Sequence, residues 1–95
     1  MDELKELRDE IDRVDREMAS LFEARMAAVR EVAAYKKEHG LPVEDKAREK
    51  ELLRREVLLV SPEIRPYFER FLRSTLQLSK EYQHRTIDGS DAEGN

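Results

Sequence analysis

The sequence predicts an all-α chain with one long N-terminal helix and two shorter ones, paired with a second copy as an intertwined homodimeric bundle. Three observations carry this prediction. Charged residues make up 42% of the 95 positions while Gly and Pro number three each, a composition suited to helices or to disorder. Apolar residues recur at three- and four-residue spacing from Leu4 to Leu21, the stripe of an amphipathic helix. Helix breakers gather at two places, Gly40-Leu41-Pro42 and Ser61-Pro62, and divide the chain into three segments.

The first segment has no breaker between Asp2 and His39. Leu4, Leu7, Ile11, Val14, Met18 and Leu21 form its seam, and at ~1.5 Å per residue the helix would be roughly 57 Å long. Gly40 then supplies the C-terminal stop, and Pro42 prevents resumption. A second helix is expected from Glu44-Asp45, whose charges complement a helix N-terminus, to about Val60. The third begins between Pro62 and Pro66, since a proline is tolerated only in a first turn. It carries Ile64, Phe68, Phe71, Leu72, Leu78 and Tyr82, and the folded domain is expected over 1–84. From 85 to 95 the chain is polar and without period, and reads as a disordered tail or a linker. Two short helices cannot cover the seam of so long a first helix. A second copy can, because an exposed apolar stripe is a liability and two-fold dimers are the commonest oligomers.

Composition excludes several classes of function. There is no Cys, hence no disulfide, thiolate nucleophile or thiolate metal site, which suits a reducing cytosol. His39 and His84 alone do not make a zinc cluster. No apolar run approaches the ~20 residues of a membrane span, and Met1-Asp2-Glu3 does not open a signal peptide, so a cytoplasmic location is expected. A net charge of −4 argues against a nucleic-acid partner.

The stripes are interrupted in a concerted way. Arg25 stands at the next seam position after Leu21, and Lys36, eleven residues on, falls on nearly the same face. Singly, each is an ordinary snorkelling cation. In the second helix Asp45, Arg48 and Glu49 replace apolar residues on the line that Leu52 continues, and in the third Ser79 and Gln83 follow Phe68, Leu72 and Thr75. Each of these has a bland explanation, a solvated helix start or a locally satisfied hydroxyl. Together they compose a pocket for a small anion with hydroxyl or ether oxygens, because Arg grips carboxylates bidentately, Lys is a point charge, and Ser and Gln add neutral hydrogen bonds. No nucleophile–base pair is evident, so an enzyme built this way works by positioning and electrostatics. Arg8 precedes Arg25 by seventeen residues, about 25 Å along one helix. It cannot serve the same pocket, whereas the partner's Arg8 could in an antiparallel pairing.

The combined motif is specific. Leu4-x-x-Leu7-Arg8-x-x-Ile11-Asp12-x-x-Asp15, Leu21-Phe22-x-x-Arg25-Met26, Val32-Ala33-x-Tyr35-Lys36-Lys37, Pro42-Val43-x-Asp45-x-x-Arg48-Glu49 and Ser79-x-x-x-Gln83 together resemble the all-helical chorismate mutases over roughly residues 4–84. The resemblance implies a domain-swapped dimer that rearranges chorismate to prephenate, on the route to phenylalanine and tyrosine, without cofactor or metal. It implies that Arg25 and the partner's Arg8 bind the substrate carboxylates, with Ser79 assisting. It further implies that Lys36 and Gln83 donate to the ether oxygen. Glu49 would accept the ring hydroxyl, with Arg48 and the backbone near Asp45 shaping that end. Relatives are often fused to another enzyme of the pathway, so such an enzyme is an expected neighbour or partner. Two alternatives are weighed against the mutase: an isochorismate-pyruvate lyase on the same scaffold, and a non-catalytic helical module for dimerisation or regulation. The second would not need the full polar set.

Overall fold

In a computed structural model, which describes residues 2–89, the chain forms three α-helices and no strand among the described residues. Helix α1 spans Glu3–His39, α2 spans Lys46–Glu56 and α3 spans Arg65–Asp88. Two 3-10 turns, Val57–Leu59 and Pro62–Ile64, join α2 to α3.

Both ends of α1 are chemically capped. Asp2 accepts from the backbone N–H of Leu4 at 3.0 Å, and Glu3 and Glu6 lie in the first turn, where negative charge meets the helix dipole. At the other end Gly40 adopts φ 65° and ψ 32°, so that its N–H reaches Lys37 O while Leu41 N–H reaches Lys36 O. This Schellman closure needs a left-handed residue, which glycine supplies without a Cβ clash. The chain then reverses through Leu41–Asp45 into α2, where Asp45 caps the first turn by accepting from Arg48 N–H at 3.0 Å.

Helix α2 ends at Glu56, short of the expected Val60. The β-branched Val57 opens a tighter 3-10 turn, and Val60 is already extended. Arg65 fastens this connection by donating to Val60 O at 3.0 Å, and Pro66 occupies the first turn of α3, where its missing N–H costs nothing. At its far end α3 corrects the expected boundary at 84, since Arg85–Asp88 continue the helix. Thr86 and Ile87 are half-buried rather than solvated. Gly89, at φ 78°, terminates the turn with its N–H directed to Arg85 O and Thr86 O. The rest of the expected tail, 90–95, lies outside the described residues.

Contacts between α1 and α3 rise together along both helices. Phe22 shares a cavity wall with Phe68 and Leu72, Arg25 meets Ser79, Arg30 meets Tyr82 and Lys36 meets Gln83. The two helices therefore run in the same direction, with α3 along the C-terminal half of α1. The outline is long and thin, 57 × 34 × 15 Å. Buried apolar side chains are few: Ala33, Val43, Leu52 and Leu72. The N-terminal seam is bare, with Ile11 58% and Leu21 69% exposed. Among the described residues, ion pairs of the first four turns stay within α1, such as Lys5–Asp9 and Arg13 with Glu10 and Glu17.

Candidate active site

A cavity of about 160 Å³ lies where the C-terminal half of α1, the Leu41–Asp45 segment, α2 and α3 converge. Its polar wall contains Arg25 and Lys36 from α1, Asp45 and the first-turn residues Arg48 and Glu49 at α2, and Ser79, Lys80 and Gln83 from α3. Val29, Val32, Val43, Leu52 and Leu76 supply the apolar wall. Seven of the eight residues singled out in the sequence thus meet in one cavity. Arg8 does not. It is exposed on the N-terminal half of α1, beyond the reach of any side chain from this pocket.

Side-chain hydrogen bonds fix the interior. Ser79 is buried, and its Oγ donates back to Thr75 O at 2.8 Å while accepting from the Nη1 of Arg25. The hydroxyl proton is thus spent on the helix, and Ser79 acts as an anchor for the guanidinium. Lys36 Nζ donates to Val43 O at 2.8 Å and to Gln83 Oε1 at 3.0 Å. An ammonium only donates, so it compels the amide of Gln83 to turn its oxygen inward. Gln83 is itself buried. Two hydrogens of Gln83 Nε2 and the third of Lys36 are left without a partner among the described residues.

Charge is distributed unevenly. Lys80 Nζ is held between two carboxylates, 3.2 Å from Glu44 Oε2 and 3.2 Å from Glu49 Oε2. The hydrogen bonds it donates, first to Glu44 and then to Glu49, raise the lysine above its ordinary value. Asp45 is committed to capping α2. No carboxylate among the described residues pairs with Arg25, Lys36 or Arg48. Three cations facing one small cavity without an acid partner make a site for an anion of more than one negative charge. Among the described residues no group of His, Cys, Asp or Glu is arranged to hold a metal ion.

Lys80 is the polar residue that the sequence reading did not single out. A signal was present: it lies one turn after Leu76 and one turn before Gln83 on the same face of α3. It resembled a surface lysine because its acidic partners are distant in sequence.

A family model described as chorismate mutase type II matches residues 7–84. The T-protein of Haemophilus influenzae is 33% identical over 94 residues, an alignment covering 93% of this chain and 25% of that protein. The chain therefore spans about a quarter of the length of that curated relative. No solved structure matches the chain. A family match over most of the sequence, a convergent cavity holding the quoted motif residues, and three cations without acid partners lead to one assignment: the chain belongs to the chorismate mutase type II family.

Proposed function

We propose that this cavity binds chorismate and converts it to prephenate by an intramolecular Claisen rearrangement in aromatic amino-acid biosynthesis. The observation that carries the reading is the set of cations without acid partners, Arg25, Lys36 and Arg48, beside the free donors of Lys36 and Gln83. Chorismate carries two carboxylates, an ether oxygen and a ring hydroxyl. In the transition state the ether C–O bond lengthens while a C–C bond forms, and negative charge gathers on that oxygen.

The residues divide the work accordingly. Arg25, held by Ser79, receives one carboxylate through its planar fork. The partner's Arg8 receives the other. Lys36 and Gln83 Nε2 donate to the ether oxygen, and these contacts strengthen as charge develops, which lowers the barrier rather than merely tightening binding. Glu49 accepts from the ring hydroxyl, and Arg48 with the capped N-terminus of α2 closes that end. The apolar wall holds the compact conformer from which the bond can form. No proton is transferred, so no residue need titrate.

The bare seam supports an intertwined homodimer. Leu4, Leu7, Ile11, Val14, Met18 and Leu21 are all exposed in the single chain. They lead into an apolar cavity of about 580 Å³ lined by Phe22, Phe68, Phe71 and Leu72. A partner's α1 laid along this stripe buries it and brings its Arg8 to the pocket. Residues 1–84 or slightly more constitute the catalytic domain, in the cytoplasm, with another enzyme of the pathway as a fused or associated neighbour. None of the helices among the described residues is long and apolar enough to cross a membrane.

The test is loss of chorismate with product identification. Prephenate is expected. Release of pyruvate and salicylate from isochorismate, with no turnover of chorismate, would replace the mutase by the lyase. A folded dimer inert to both would leave a non-catalytic module.

A further inference from the structure

We propose that Lys80 is a positioning residue of this site, orienting Glu49 toward the substrate hydroxyl and tying the Leu41–Asp45 segment over the cavity. The inference rests on the function proposed above and concerns a residue to which that function assigned no task.

Lys80 stands on α3 between Ser79, which anchors Arg25, and Gln83, which meets Lys36. Its ammonium lies 3.2 Å from Glu49 Oε2 and 3.4 Å from Glu49 Oε1, so it addresses both oxygens of that carboxylate. It also lies 3.2 Å from Glu44 Oε2. The lysine and Glu49 side chains are only 20% and 22% exposed, whereas Glu44 is 49% exposed. The better shielded pair is therefore the one that points at the cavity, and screening weakens it less.

The placement gives Lys80 a second effect. The segment Val43–Asp45 is held from two sides: Lys36 of α1 takes the Val43 carbonyl and Lys80 of α3 takes the Glu44 carboxylate. Asp45 then starts α2 and sets the position of Arg48 and Glu49. One ammonium thus joins α3 both to the turn before α2 and to its first turn. A carboxylate that must accept from a hydroxyl in a fixed direction needs such a clamp, since a free Glu samples several rotamers and an ångström of misplacement is costly. Lys80 does not touch the reacting atoms. It acts through Glu49.

A double-mutant cycle with the full chain tests this. Chorismate kcat/KM is measured for the wild type, Lys80→Met, Glu49→Ala and the double variant, with helicity checked by circular dichroism. Methionine keeps the stem and helix preference while removing the charge. Lys80→Met alone is expected to lower kcat/KM on the order of tenfold to a hundredfold. In the Glu49→Ala background the same change should cost several-fold less than in the wild type, because Lys80 and Glu49 act as one unit and only the Glu44 tie is left to lose. Lys80→Arg should restore most of the activity. Equal losses in both backgrounds, or failure of arginine to rescue, would overturn the proposal while leaving the mutase reading intact. A wild-type chain that does not consume chorismate overturns the mutase reading and, with it, this role. If Lys80→Met does not fold, Lys80→Gln replaces it in the same cycle, with the same outcomes.

Discussion

Lys36 Nζ lies 3.0 Å from Gln83 Oε1, a contact between residues 47 positions apart that joins the end of α1 to the end of α3. It does two things at once. It takes up the oxygen of a buried amide, and it leaves the Nε2 of that amide and one ammonium hydrogen as donors in the cavity.

From this contact follows a pH prediction. The amide of Gln83 carries no titratable proton, and Lys80 is raised above the usual lysine value by Glu44 and Glu49. A raised lysine stays charged through neutrality, and its ion pairs fail only as pH climbs past that raised value. Wild-type kcat/KM is therefore expected to be flat from about pH 6 to about pH 9. Gln83→Glu introduces a carboxyl that donates only when protonated, and the neighbouring Lys36 favours its ionised form. Activity of that variant should rise as pH falls toward about 4.5 and be weak at neutrality. An unchanged profile would remove Gln83 from the donor role.

Lys36→Ala separates binding from catalysis. A contact that strengthens as charge develops lowers kcat when removed, while one felt equally by bound substrate raises KM alone. We expect kcat to drop on the order of a hundredfold or more, with KM changed much less. Steady-state kinetics on chorismate decide the matter. A pure KM effect would make Lys36 a ground-state anchor.

Much of this arrangement was legible in the sequence because helices write their faces at a fixed period. Arg25 and Lys36 fell on one face of α1 by arithmetic, while Gly40 marked the end of α1 and the charges of Glu44-Asp45 the start of α2 through local chemistry that needs only neighbours. The segment 85–88 misled because loss of apolar period resembles loss of structure, although Gly89 was an available stop signal. Lys80 was hidden for a deeper reason. Its partners Glu44 and Glu49 lie 36 and 31 residues away, and only the packing of α2 against α3 brings them to it. Periodicity reports which side of a helix a residue occupies and says nothing of what stands opposite.

The proposed sharing of the site between two subunits predicts complementation. Arg8→Ala and Arg25→Ala are each expected to be nearly inactive as homodimers. After subunit exchange a heterodimer contains one pocket lacking both arginines and one pocket with both intact. Mixing the two variants should therefore restore a measurable share of wild-type activity, up to about one quarter for equal, random exchange followed by one intact site in half the dimers. Exchange is followed by a mass tag on one variant. Full exchange without recovery would place Arg8 outside the neighbouring site.

The bare seam of α1 yields a prediction in which two magnitudes compete. Ile11 is 58% exposed in the single chain. Were it solvent-exposed in solution, Ile11→Asp would alter stability by only about 0.5 kcal/mol, as surface changes do. If a partner helix covers it, the variant loses the transfer energy of the side chain, about 1.5–3 kcal/mol, and also forces a carboxylate into an apolar contact. Both losses occur twice per two-fold dimer. The expected outcome is therefore a chain that no longer sediments as a dimer, with helicity and activity lost together. Thermal unfolding of the wild type should also shift to higher temperature as protein concentration increases, because association stabilises only the folded state. Sedimentation and melting over a hundredfold concentration range test both statements. A concentration-independent melt, with Ile11→Asp still helical and active, would mean that the seam faces water and that the pocket is complete without a second chain.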